Sequence, residues 1–593
     1  MTFRWGRKEE SAIHSELEGT NDAVYDREYV ILCLCVVRNR LKLSLLRRET
    51  VVTKFDPQTA SRWQRVLHHW STPLVFILTC VLALLAVHAG WVCVSGKPTR
   101  DVLVILGAME VGVYVWIRVY SGLTLVRQIT LICLFVTAQA AVHLLVRLDG
   151  FTGDARPIWT WRWVKMPQEI FAESHPERPK EEQSKAIDLA STTLWDSPGF
   201  RGQGRMGNMA TKELATDWGA HPPRLLWRHS IGSGWSTFAV VGDYCVTQEQ
   251  RGEDEAVVCY DVKSGREVWE QRDLAHFYEA TGDEGPRATP TIHQGRVYAL
   301  GATGVLNCLE GSNGRRVWSV NILEESGAAN RLFGMAGSPL VVETVAPEKK
   351  TLVVVSPGGK GSALAAYDAE TGKRVWHGGD ADASYSSPQL AELVGRRQVL
   401  SFNAEGLFAH DLADGRPLWT VPWISNPAER NNVCQPVVWS STGNGEADSV
   451  FISSGYNMGS ALFEISRQGD EWSVSERWQN RSLKAKFSSV ILRDGYVYGL
   501  DGASLACLDI ATGERKWKAG HYGYGQVVLT DNRLLVQLES GEIALVAASP
   551  ENHHELARFT ALSSRTWNHP VLAGNVLLVR NDREAACYEL PLK

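Results

Sequence analysis

The decapeptide from Tyr367 to Trp376, Tyr-Asp-Ala-Glu-Thr-Gly-Lys-Arg-Val-Trp, is the strongest constraint on how this chain folds. It reads as a strand end, a tight turn and the start of the next strand. Asp368 suits the turn because its carboxylate can accept from the following backbone N–H groups. Gly372 supplies the positive φ that a short hairpin needs, and Trp376 opens the outgoing strand with a large apolar ring. The pattern recurs at Tyr260–Gly265 with Trp269, Leu309–Gly314 with Trp318, His410–Gly415 with Trp419, and Leu508–Gly513 with Trp517. Degenerate copies lie at Phe463-Glu464 with Trp478 and at Leu545-Val546 with Phe559. An eighth copy is split. The chain ends in Cys587-Tyr588-Glu589-Leu590 with no following Trp, while Arg224-Leu225-Leu226-Trp227 stands unmatched far upstream. Such a split is what a ring closed by its two ends requires.

A second marker agrees on the number of units. A small or polar residue ahead of an apolar run opens each one, at Ser236, Thr289, Ser338, Ser387, Gln435, Ser489, Gln526 and His569. Pro follows at 290, 339, 388, 436 and 570, where a strand's first residue tolerates the missing N–H. The spacing from 289 to 338 and from 338 to 387 is 49 residues, and from 387 to 435 it is 48. A period of this length with several short strands per unit indicates propeller blades. The sequence therefore predicts an all-β, eight-bladed β-propeller of four-stranded blades over residues 223–593.

These turns resemble the repeat of quinoprotein-type propellers, the superfamily of PQQ-dependent alcohol dehydrogenases and BamB-like outer-membrane assembly factors. A closer resemblance is to bacterial membrane-anchored PQQ-like β-propeller repeat proteins. It is carried by Phe200-Arg201-Gly202, Thr247–Gly252, Pro286–Pro290 and Thr566–Pro570, and covers roughly residue 149 to the end. The repeat is specific for fold and leaves activity open, because one fold hosts many functions.

Ahead of the propeller, residues 1–72 are polar, with twelve Lys/Arg and nine Asp/Glu, and no cleavable signal peptide opens the chain. Residues 73–148 hold three apolar segments, 73–95, 102–120 and 123–148, each close to the length that crosses hydrocarbon. They predict about three transmembrane α-helices. Arg47, Arg48, Lys54, Arg62 and Arg65 crowd the amino-terminal flank, which favours that end in the cytoplasm. Three crossings then place the propeller on the periplasmic side of a bacterial inner (cytoplasmic) membrane. Residues 149–222 read as an interfacial segment and linker, with Trp159-Thr160-Trp161-Arg162-Trp163 suited to the membrane–water boundary. The formal net charge of −5 gives no basic field for nucleic acid, so the expected partners are proteins of the cell envelope.

Eleven cysteines include Cys259, Cys308, Cys507 and Cys587 at one repeat position, too far apart to bond. Cys245 and Cys259 flank one hairpin, where either a disulfide or two buried thiols fits. No Cys-x-x-Cys or His-x-x-x-His spacing suggests a metal. Residues just before the inner strands should ring one mouth of the channel: Trp235, Arg287, Tyr385, Gln435, Lys486, Tyr524, Trp567 and His569, with Glu249 nearby. Aromatic, cationic and amide groups in one funnel suit an anionic or planar ligand, or they merely solvate the mouth. The resemblance implies two readings. One is a non-catalytic propeller offering a protein- or ligand-binding surface, with no cofactor. The alternative is a PQQ-dependent oxidoreductase passing electrons to the membrane. The chain has no adjacent Cys-Cys pair and few acids near the funnel for calcium, which favours the first reading and assigns no catalytic residue. The charge asymmetry makes one testable statement: a phosphatase fused at residue 593 is expected to be active and one at residue 60 silent, and the reverse pattern overturns the topology.

Overall fold

The computed structural model describes residues 122–174, 187–344, 349–426, 429–441 and 448–593. The polar region 1–72 and the expected spans at 73–95 and 102–120 lie outside the described residues. The chain separates into two compact units, Met1–Val136 and Thr137–Lys593.

The second unit holds eight antiparallel blades, seven of them with four consecutive strands hydrogen-bonded in chain order. Blade 1 comprises Ala239–Val241, Tyr244–Arg251, Asp254–Asp261 and Glu267–Leu274. Blades 2 to 7 span 291–321, 340–378, 389–422, 437–480, 491–519 and 526–560. Blade 8 takes three strands from 571–589 and its outermost strand, Arg224–Ser230, from upstream. There Cys587 lies opposite Trp227, so the split eighth repeat closes the ring as expected. Middle strands such as Thr351–Val355 are apolar and buried from their second residue on, because both faces meet a neighbouring blade. Outer strands such as Glu471–Asn480 alternate, because one face is wet.

Blades are joined through the repeat itself. Asp368 accepts from the backbone N–H of Thr371 at 2.9 Å, and Asp261 from that of Ser264 at 2.8 Å. These carboxylates shape turns, as the sequence suggested. The outer-strand tryptophans Trp227, Trp269, Trp318, Trp376, Trp478 and Trp517 donate their indole N–H to a backbone carbonyl on the next blade at 2.7–3.1 Å. For five of the six, the ring packs against a glycine of that blade's turn. A Cβ at position 372 would sit 2.6 Å from the Trp318 ring, and φ there is +69°. Glycine is thus required at 372 by both backbone and neighbour. Trp419 departs from the pattern and donates to Gln398 of its own blade at 2.8 Å, because blade 5 has a longer hairpin in place of the standard turn.

Residues 196–211, which composition assigns to the linker, run through the channel. Ser197 bridges Val240 of blade 1, and Asn208–Met209 pairs in parallel with Leu529–Thr530 on the axial side of blade 7. Arg205 donates to Ser338 and Pro339 of blade 3, and Arg201 to Val490 ahead of blade 6. Only a segment on the axis can meet inner strands of opposite blades. The segment leaves beside blades 7 and 8, where Leu214 and Trp218 join their core.

The third expected span is a correction. Residues 123–148 form a helix only over Leu125–Leu145, and Val146–Phe151 then pairs as a strand with Pro157–Trp161. Among the described residues no helix is long and apolar enough to cross a membrane. Arg127, Gln128, Gln139 and His143 interrupt its apolar character, and strand pairing takes its last residues. Cys245 and Cys259 are both free and buried. Cys245 lies opposite Tyr260 and Cys259 opposite Val246, which turns the two thiols to opposite faces of the sheet.

Trp376 is 6% exposed and loses both ring contact and hydrogen bond on truncation. Trp376→Ala is expected to cost about 3–5 kcal/mol in urea unfolding. Gly372→Val should also destabilise, since a β-branched residue resists positive φ. An unchanged midpoint for either variant would contradict this account of blade docking.

Candidate functional site

Four of the expected funnel residues converge at the mouth where the inner strands begin. Trp235 and Trp567 face one another at 4.7 Å between ring centroids, with the Arg565 guanidinium over both at 5.1 and 4.5 Å. The Lys486 ammonium lies 4.8 Å from the rings of Phe487 and Tyr524. Burial pushes its pKa down, and the nearby Asp154 and Glu539 oppose that shift.

This aromatic–cation ring grips the protein's own chain. The hairpin of Val146–Phe151 and Pro157–Trp161 inserts its tip into the mouth. Lys486 donates to the Gly153 carbonyl at 2.6 Å, and the Tyr524 hydroxyl donates to Asp154 at 2.8 Å. Trp567 donates to Glu539 at 3.0 Å, and the Gly153 N–H donates to the same Glu539 oxygen at 2.6 Å. Arg565 donates to Phe151 O and pairs with Asp283, while Arg583 holds Asp149 at 2.7 Å. Sequence reasoning missed Glu539, Arg565 and Phe487. Arg565 and Phe487 stand next to residues that it found, at Trp567 and Lys486. Glu539 comes from a turn between later strands of blade 7, which no inner-strand marker flags.

Of the other five candidates, Arg287 adjoins this mouth, sharing the Gly282 carbonyl with Trp235, and four lie apart from it. Gln435 is buried within the channel and donates to Gln389 at 2.6 Å. His569 is half-buried there, its ring edge-on to Phe200 at 5.1 Å. Burial, then the Arg201 cation, lowers its pKa far below the usual histidine value. Arg287 donates to Gly282 and Asp283 carbonyls at 2.8 and 2.9 Å over the Phe277 ring, and burial brings its pKa down to about 10. The Tyr385 hydroxyl accepts from the Phe333 N–H at 3.3 Å.

Glu249 has no solvent-exposed surface. It accepts from Tyr260 at 2.6 Å, from Gly232 N at 2.9 Å and from Arg251 at 3.0 Å. Burial would raise its pKa, yet Arg251 and Arg580 hold it below the ordinary carboxylate range. Arg580, itself fully buried on blade 8, donates to Gln248, Gly232 and Gly234 carbonyls at 2.8–3.2 Å. The cluster therefore fastens blade 8 to blade 1 at the seam of the ring.

A quinone with calcium does not fit these residues. Among the described residues no three His, Cys, Asp or Glu side chains converge as ligands, and the groups at the mouth are already committed to the hairpin.

The profile of a family described as outer membrane protein assembly factor BamB matches residues 220–346 and 253–519, half of the chain. The chain belongs to the PQQ-like β-propeller superfamily. BamB of Shewanella oneidensis is 24% identical over 307 residues, covering 51% of this chain and 73% of that protein. A quinohemoprotein alcohol dehydrogenase of Pseudomonas putida is 30% identical over 132 residues, 21% of this chain and 17% of the enzyme. Among solved structures, BamB from Moraxella catarrhalis aligns at 14% identity and TM-score 0.41, over 62% of this chain and 98% of that one. The P. putida HK5 quinohemoprotein alcohol dehydrogenase aligns at 14% identity and TM-score 0.47, over 70% and 83%.

Within this superfamily member, Glu249 is held as a structural anion. Glu249→Gln leaves Arg251 and Arg580 buried beside a neutral amide, and is expected to cost about 3–5 kcal/mol by denaturant unfolding. Because the folded pKa is lowered, the carboxylate's contribution is present above its unfolded value and is lost as pH falls. The difference between wild type and variant should therefore shrink on acidification below about pH 4. A gap that stays constant with pH would refute the charge argument.

Proposed function

We propose that this chain is a non-catalytic propeller that presents a protein-binding surface in the bacterial cell envelope. One observation carries the reading: the aromatic–cation mouth that could hold a planar acidic ligand is occupied by residues 149–154 of the same chain. The acid that sequence placed near the funnel, Glu249, is enclosed between two arginines and has no path to a substrate proton. With the channel threaded by the chain and the mouth capped, the exposed loops and outer strands offer the surface for contact with other proteins. The relation to BamB, named for outer-membrane protein assembly, supports an envelope location and protein partners.

The finer reading places the propeller on the extracytoplasmic face of the inner membrane. It is supported by the apolar runs at 73–95 and 102–120, by the basic flank ahead of them and by the aromatic cluster Trp159, Trp161 and Trp163. Those three rings are 61, 50 and 65% exposed, a suitable surface for a bilayer interface. Two crossings would return the propeller to the side of the amino terminus, so this placement needs a further crossing besides these two runs, and the fusion at residue 593 measures which side the propeller occupies.

The competing reading, a PQQ-dependent oxidoreductase, draws support from the stretch similar to the P. putida dehydrogenase. It needs a metal to polarise the quinone and a carboxylate to accept a proton, and neither arrangement is found among the described residues. Purified protein given PQQ, calcium and a range of alcohols and sugars is expected to reduce no artificial electron acceptor. Turnover that disappears on Glu249→Gln would overturn the non-catalytic reading.

A further inference from the structure

The channel segment leaves a pocket of about 280 Å³ along the inner strands of blades 2, 3 and 4. These strands lead away from the capped mouth, so the pocket is separate from the hairpin's site. Its walls are mainly apolar, from Phe200, Leu340, Val342 and Leu390, and Arg205 and His293 supply polar groups.

The charge here is unusual for this molecule. Arg251 faces Glu249 at 3.0 Å, and Arg565 faces Asp283. Arg201 and Arg205, 3 and 8% exposed, have no carboxylate in ion-pair range among the described residues. Burial without a counter-charge brings their pKa values down to about 10 and about 9. A buried cation is stable only when paired or well hydrogen-bonded. A guanidinium has five N–H donors, and Arg205 spends two of them, on Ser338 O and Pro339 O, both at 2.8 Å. Its Nε is buried without a partner, as is the His293 Nε2 on the pocket wall. Both arginines also hold left-handed backbone, at φ +60° and +63°. Such strain persists where the surroundings impose a conformation, often at a ligand site.

We propose that this pocket binds a small organic anion, its acidic head against Arg205 and His293 and its apolar body against Phe200, Leu340, Val342 and Leu390. The remaining guanidinium N–H groups supply charge-assisted hydrogen bonds, which are the strong kind in a desolvated site. The volume suits a single ring bearing one carboxylate, since a dry cavity of roughly 150 Å³ already admits benzene. Backbone carbonyls satisfy only part of the Arg205 guanidinium; the anion supplies the missing charge.

Calorimetric titration of the full chain with benzoate, benzyl alcohol, benzylammonium and inorganic phosphate tests this. Benzoate should bind saturably at one per chain, with benzyl alcohol, benzylammonium and phosphate each at least tenfold weaker. Arg205→Gln should weaken benzoate at least tenfold. Leu390→Trp leaves both arginines in place and fills the pocket, so it should abolish binding while the unfolding midpoint is kept; it decides the matter if Arg205→Gln does not fold. Equal binding of benzoate and benzylammonium, or benzoate binding unchanged in Leu390→Trp, overturns the site. Phosphate binding as tightly as benzoate overturns the role of the apolar wall.

Discussion

The indole of the outer-strand tryptophan, laid against the glycine turn of the next blade at five of the eight junctions, is the contact on which the ring depends. A four-stranded sheet has two apolar faces, and an isolated blade would leave both wet. Stacking in a circle buries those faces, but flat sheets alone fix neither spacing nor register. The indole adds a directional N–H bond to a backbone carbonyl and a flat surface that only glycine can meet. One residue pair thus sets both the distance between blades and the rotation from one to the next.

A ring built this way has one seam, and there the chain adds a different interaction. The carboxyl-terminal strands pair with Arg224–Ser230, and Arg580 reaches across to backbone carbonyls near Gly232 and Gln248. Glu249 and Arg251 complete the cluster on blade 1. Buried ion pairs are poor sources of net stability, yet breaking one is costly because the remaining charge is stranded. Such a cluster penalises any register in which the ends fail to meet. Blade 7 to blade 8 lacks an indole donor, since Phe559 stands at that position, and Trp218 from the channel segment packs edge-on against it at 5.4 Å.

The axis is filled by the chain in two places, and this separates the protein from an open propeller. The hairpin tip closes one mouth, while residues 196–211 thread the channel and brace blades that are not neighbours. Closing the first mouth removes the planar-ligand site that its residues would otherwise form. Threading the second creates a smaller, cationic pocket in its place.

Fold and ring closure were legible because they rest on local chemistry complete in five of the eight units, a turn acid, a glycine and an aromatic at fixed spacing, with degenerate or split copies in the other three. The mouth was legible in part, for Trp235, Lys486, Tyr524 and Trp567 stand at equivalent positions before inner strands. Gln435 and His569 are themselves the residues that open their inner strands, one to three positions further along than those four, and so fall inside the channel. What occupies the axis was decided only by tertiary structure. Residues 149–154 and 196–211 carry no periodic pattern, being held by side chains hundreds of positions away, such as Lys486, Glu539 and Arg565. Periodicity encodes which residues share a face; it does not encode which aperiodic segment fills the space that the faces enclose.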